Sequence, residues 1–163
     1  MSVGGGGGGG GGGLQELQEQ LEAIDEEISS LEQEIEGLRD EKSEMDDAMN
    51  ALDRLDSGDT VQVPLGGDAY VRAEVKDIDE VIVSLGGGFA AERDRDGAAD
   101  SLDHKKETLD DRISDVQSDI SELEEESAKI EQRAQQMQQQ QLQQLQQQMQ
   151  GQGQGQEPDT DDE

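Results

Sequence analysis

The residues able to do chemistry in this chain are almost all carboxylates. Asp and Glu number 42 among 163 residues, against 12 Lys and Arg, one His and no Cys. Paired carboxylates serve as acid and base only where their surroundings split their pKa values. Here they are spread along polar faces and read as a solvated surface. His104 stands alone on a charged helix start and reads as solvated. No serine has a base in motif context. Without cysteine there is neither a disulfide frame nor a thiolate metal site, and no set of ligands converges as a metal requires. The run Gly4–Gly13 is not a phosphate loop, which needs a Gly-Lys-Ser/Thr ending and a preceding strand. It reads as a tether whose reach is about 5–6 Å × √n for n residues. No catalytic set, metal or cofactor is expected, and nothing favours an enzyme.

What is ordered is an apolar rhythm stated twice. Leu14, Leu17, Leu21, Ile24, Ile28, Leu31, Ile35 and Leu38 follow one another in steps of three and four, continued by Met45, Met49 and Leu52 and broken by Lys42. Leu109, Ile113, Val116, Ile120, Leu123, Ile130, Ala134 and Met137 repeat the pattern. A 3.5-residue repeat this long marks a coiled-coil seam. Two such helices joined by a compact insert are expected to fold back as an antiparallel pair.

Composition narrows the field. Only 29% of residues are hydrophobic, the aromatics are Tyr70 and Phe89, and the net charge is −30. That is too little apolar surface for a compact single core. It fits a disordered chain by composition, but the heptads between Leu14 and Met137 argue otherwise. The charge excludes nucleic acid, whose phosphates need a basic face, and disfavours anionic membranes. High acidity with few lysines reads as adaptation to a salt-saturated cytoplasm, where salt screens self-repulsion. No membrane span and no signal peptide stand out, so a cytoplasmic location is expected.

Five parts result. Residues 1–13 form a disordered glycine-rich head. Residues 14–56 form helix 1, on the order of 60 Å long at ~1.5 Å per residue, with Gly58 as its C′ residue. Residues 57–95 change period from 3.5 to 2 and read as two β-hairpins. In them Val61, Val63 and Leu65 alternate before a Gly66-Gly67-Asp68 turn, Val71, Ala73 and Val75 follow, and Val81, Val83 and Leu85 precede Gly86-Gly87-Gly88 and Phe89. Pro64 places its strand at an edge or a bulge. Residues 96–137 form helix 2, with Asp96 as its N-cap. Residues 138–163 form a glutamine-rich and acidic flexible tail. The fold class is mainly α: a long antiparallel two-helix coiled coil with a central pair of hairpins. Four short strands with one Phe and one Tyr cannot make a robust core alone, so their edges are expected to pair with other subunits.

The insert carries Val63-Pro64-Leu65-Gly66-Gly67, Tyr70-Val71, Asp79, Val81-Ile82-Val83, Gly86-Gly87-Gly88-Phe89 and Ala91-Glu92, flanked on both sides by heptads. In this order it resembles the alpha-class subunit of prefoldin, an ATP-independent co-chaperone of archaea and eukaryotes, over residues 14–137. Two hairpins favour the alpha class, since the beta class carries one. Where the family often has two aromatics after the glycine turn, this chain has Phe89-Ala90. The resemblance implies a hexamer of two alpha and four beta subunits, whose hairpins form an intersubunit β-barrel. It also implies that unfolded polypeptides are held at the coiled-coil tips and delivered to a group II chaperonin. The hairpin residues would be Val61, Val63, Leu65, Tyr70, Val71, Val81, Val83, Leu85 and Phe89. A passive coiled-coil scaffold without client binding is the alternative.

Counting outward from the hairpins brings Leu14 level with about residue 140. The apolar residues at that end are Leu14, Leu17, Leu21, Ile130, Met137, Leu142, Leu145 and Met149. Their default role is closing the seam. At a frayed end they also offer apolar surface to a client, with Met adapting to varied shapes. The e positions, which face each other in an antiparallel pair, carry Asp25, Glu32, Asp46 and Asp53 against Asp110, Glu124 and Glu131. Each exposed like-charge contact costs a few tenths of a kcal/mol. Lys42, at an a position, either fixes register or extends its ammonium outward.

Overall fold

The structure is a computed structural model and describes residues 11–152. The expected head up to residue 10 and the end of the tail from residue 153 lie outside the described residues. The element order is α1 (Gly11–Arg54), β1 (Thr60–Gly66), β2 (Ala69–Glu74), β3 (Val81–Gly86), β4 (Phe89–Arg93) and α2 (Arg95–Gln152). Two long helices and two antiparallel hairpins are therefore present as the periodicities predict. The described chain falls into two compact units. One holds α1 to Leu31 with α2 from Asp119; the other runs from Glu32 to Ser118.

The first unit is an apolar seam. Leu17, Ile24 and Ile130 are buried, with Leu21, Ile28, Leu123, Ala134 and Met137 packed against them. These residues occupy the a and d positions, so the 3.5-residue period places them on one stripe of each helix. Two boundaries differ from those the heptads alone predict. α1 begins at Gly11, so Gly11, Gly12 and Gly13 are helical. At Gly13 a side chain would lie 3.5 Å from the Met137 thioether, so Met137 packs over bare backbone. Each helical glycine costs ~1 kcal/mol of helix propensity relative to alanine. α2 also runs on through the glutamines to Gln152. Glutamine is a good helix former, and elongating an existing helix avoids the nucleation cost.

The second unit holds the hairpins. Leu52 of α1, Val83 of β3 and Ala98 of α2 are buried together, with Ile78, Val81 and Leu102 around them. β3 is thus bound to both helices through its inner face. Neither strand of the first hairpin contributes to that cluster. The first hairpin is held instead by backbone. Gly58 N–H donates to the Val75 carbonyl at 2.7 Å, and Val75 N–H donates to the Asp59 carbonyl at 2.8 Å. Gly58, with φ +94°, is therefore the start of the hairpin rather than a helix C′ residue. The helix ends four residues earlier, because Asp59 draws the chain into a turn by accepting from Asp56 N–H at 2.8 Å.

The two hairpins share one geometry. β1 pairs with β2 and β3 with β4 in separate two-stranded sheets. The register shifts between Pro64 and Gly66 in the first and between Ser84 and Gly86 in the second. Pro64 therefore sits beside a bulge, on a strand with a free edge, where its missing N–H is tolerated. Gly67 and Asp68, like Gly87 and Gly88, have positive φ. These are two-residue turns of the kind whose twist matches the strands.

α2 starts one residue before the expected position, and its cap is Asp94, not Asp96. The Asp94 carboxylate accepts from Gly97 N–H at 2.7 Å. The Asp94 carbonyl accepts the first helical bond, from Ala98 N–H. Asp96 is already the second residue of the helix, two positions past the cap. Asp94→Ala is expected to cost ~1 kcal/mol in thermal unfolding followed by circular dichroism in concentrated salt. An unchanged unfolding midpoint contradicts this assignment.

Candidate functional site

No three His, Cys, Asp or Glu side chains among the described residues group as metal ligands. No described helix is long and apolar enough to cross a membrane. The remaining features are surfaces and the charges that frame them.

In the unit holding the hairpins, cations meet carboxylates across the helix pair. Lys42 is hydrogen-bonded to Asp110, and Lys106 to Asp46. Arg112 donates to Glu34 through Nε at 3.0 Å and through Nη at 2.6 Å. Partner numbers fall on α2 as they rise on α1, so the helices are antiparallel here. The sequence leaves Lys42 two roles, fixing register or extending outward; the structure shows it paired with Asp110 of the opposite helix. Both a-position lysines reach an e-position carboxylate on the opposite helix, and Asp46 and Asp110 are thereby relieved of mutual repulsion. At the hairpin end Arg95 donates to the Leu55 carbonyl and, at 3.2 Å, to Asp56. A guanidinium at the C-terminus of α1 also complements the helix dipole. Arg95 is a residue the heptad analysis does not reach, because its role depends on the fold-back. The Lys42–Asp110, Lys106–Asp46, Arg112–Glu34 and Arg95–Asp56 pairs all lie in this unit.

The hairpin residues divide into two groups. Val83 is buried and Val81 half-buried against the helices, so these two anchor β3. Val61 is half-buried. Val63, Leu65, Tyr70, Val71, Leu85 and Phe89 are exposed, Leu65 at 69% and Phe89 at 74%. Ile82 is equally exposed and was not singled out by alternation. The run Val81-Ile82-Val83 is apolar on consecutive positions. A strand with two apolar faces carries that signature, since neighbouring side chains point to opposite sides. Val83 takes the inner face and Ile82 the outer. Each hairpin thus presents open backbone edges beside exposed aliphatic and aromatic side chains, a combination that soluble proteins normally blunt or cover.

The expected tip residues also separate. Leu17 and Ile130 are buried in the seam. Leu14, Leu21 and Met137 are half-buried, as are Ile28, Leu31, Leu123 and Ala134 of the same seam. Leu142, Leu145 and Met149 are exposed.

Heptad helices flanking two hairpins with open edges define a coiled-coil subunit. The profile of the family described as Prefoldin subunit matches residues 24–148. The chain belongs to that family. It is similar to the prefoldin subunit alpha of Haloarcula marismortui, at 62% identity over 102 residues, 63% of this chain and 66% of that relative. It is also similar to that of Halobacterium salinarum, at 68% identity over 74 residues, 45% of this chain and 48% of the relative. The matched stretches span between about half and two thirds of these relatives. A cryo-EM structure described as filamentous PFD from Methanocaldococcus jannaschii aligns with a TM-score of 0.48 at 29% identity, covering 73% of this chain and 93% of that chain. Haloarchaeal relatives agree with the acid-rich composition.

The lysine pairing has a pH consequence. Hydrogen bonding to Asp46 raises the Lys106 pKa above the ordinary lysine range, helped by the charges of Asp46, Asp103 and Asp110 and opposed by burial. A folded-state pKa above the unfolded one makes the contribution complete below about pH 10.4 and lost as pH rises through the folded value. The midpoint of unfolding is expected to fall above that pH, and to fall less in Lys106→Met. Equal declines in the two proteins contradict the pairing.

Proposed function

We propose that this chain is the alpha-type subunit of a hexameric, ATP-independent holdase in the cytoplasm. Two copies would join four beta subunits through their hairpins to close an intersubunit β-barrel. Unfolded polypeptides would be held at the coiled-coil tips and passed to a group II chaperonin. The observation that carries the reading is the state of the hairpins. A lone two-stranded hairpin is marginal in water, yet here each one exposes apolar side chains beside unpaired edges. Strand pairing with neighbouring subunits satisfies both at once. Membership of the prefoldin family supports the same partner class.

For the client, the half-buried Leu14, Leu21 and Met137 are the contact surface, backed by Leu17 and Ile130. A single patch of this size binds weakly. Several such patches on one frame gain avidity, which suits clients without fixed structure. A passive scaffold would have the same hairpins but no grip.

Two measurements separate the parts of this proposal. Native mass spectrometry of the chain mixed with a prefoldin beta subunit in volatile salt is expected to show two copies with four partners. Phe89→Ser combined with Leu65→Ser is expected to abolish that species, and a hexamer that survives the double change contradicts the hairpin assignment. In an aggregation-suppression assay with an unfolding enzyme, the assembled Leu14→Ser, Leu21→Ser, Met137→Ser variant is expected to lose most of its protection. Undiminished protection by a fully assembled variant favours the passive scaffold for these residues.

A further inference from the structure

The helical part of the glutamine-rich stretch carries a second apolar stripe that does not belong to the α1–α2 seam. Continuing the phase of Ile130, Ala134 and Met137 along α2 places the next seam positions at Gln141 and Gln144. Gln141 is indeed half-buried. Leu142, Leu145 and Met149 each fall one residue later, about 100° around the helix, and are 61%, 56% and 78% exposed. A helix prolonging α1 in the same seam would therefore meet glutamine rather than this stripe. Among the described residues nothing covers it.

The stripe has the spacing of a coiled-coil seam of its own. Leu142, Leu145 and Met149 are three and four residues apart, an a–d–a sequence. The flanking e and g positions, Gln141, Gln146 and Gln148, are neutral. No charged residue occurs between Arg133 and Glu157, in a chain whose net charge is −30. Along the main seam the flanks include Glu124, Glu126 and Glu131, so copies brought together there repel. On the neutral stretch two copies meet without that penalty.

We propose that residues 142–149 form a short coiled coil with the same segment of a second copy of this chain. A regular heptad phase selects a helix as its partner, whereas an unfolded client has no periodicity to match. The helix entering the contact is already nucleated by the paired part of α2, which lowers the cost of docking it. Concentrated salt suppresses what charge repulsion remains between the chains.

The native chain has no cysteine, so one introduced thiol reports the contact. Leu145 is the middle residue of the stripe; at a d position it faces its counterpart in a parallel pair and lies one layer from it in an antiparallel one. Gln147, at the f position, faces away. The full-length Leu145→Cys and Gln147→Cys proteins are oxidised in molar KCl and resolved on a non-reducing gel. Disulfide dimer is expected to form at least tenfold faster at 145 than at 147. Adding Leu142→Ser and Met149→Ser to Leu145→Cys is expected to remove the difference. Equal rates at the two positions overturn the proposal, as does an unchanged 145 rate in the triple variant. Loss of the 145 crosslink on adding excess reduced, alkylated lactalbumin, a permanently unfolded chain, assigns the stripe to client binding and also overturns it. Crosslinking that arises from hairpin-mediated assembly alone is recognised by the triple variant, in which it would persist.

Discussion

Two helices dense in carboxylate are held together by an apolar seam to which each contributes about one residue per turn, and the other features depend on that balance. In the unit built from α1 to Leu31 and α2 from Asp119, no ion pair helps the seam among the described residues, and Leu17, Ile24 and Ile130 provide its buried core. Burying each such side chain stabilises by about 1.5–3 kcal/mol before conformational entropy is subtracted. Against it stand Asp25, Glu124 and Glu131 at flanking positions. In the unit from Glu32 to Ser118 the same problem is met differently. There Lys42, Lys106 and Arg112 each neutralise a carboxylate of the opposite helix. Exposed pairs of this kind are individually worth little, but they remove repulsion from the layers that lead into the hairpins.

The hairpins are joined to that frame asymmetrically. The second is packed through Val83 onto Leu52 and Ala98, while the first is tied by main-chain bonds around Gly58 and Val75. Both repeat the same bulge and turn. That repetition gives two equivalent edges with similar twist, suited to strand addition by neighbours. The anchored hairpin fixes where the free edges point relative to the helix ends of its own unit.

Much of this was legible in the residues. The switch from a 3.5-residue to a two-residue period located helices and strands, because each period reflects which side chains share a face. The glycine turns located the hairpin tips, because only certain residues accept positive φ. What local pattern could not supply was anything depending on the partner helix. Gly11–Gly13 are helical although nothing in their local pattern favours a helix, and Met137 lies beside Gly13. Arg95 caps α1 across the fold-back, and Lys42 finds Asp110 far along the chain. The sequence pattern placed the cap at Asp96, and only the first helical bond, from Ala98 N–H to the Asp94 carbonyl, moves it to Asp94. Of the expected tip residues, Leu17 and Ile130 proved to be core, while the stripe at Leu142 turned out to have its own phase.

The central claim is that salt-screened carboxylates and a narrow apolar seam set the stability of the helix pair. Amide hydrogen exchange of the assembled protein across a series from molar to millimolar KCl tests it most directly. Residues 14–31 and 120–137, which no ion pair supports, are predicted to lose protection first, while the segments around Lys42 and Lys106 hold to lower salt. Protection that is indifferent to salt, or that fails first around Lys42 and Lys106, would contradict the account.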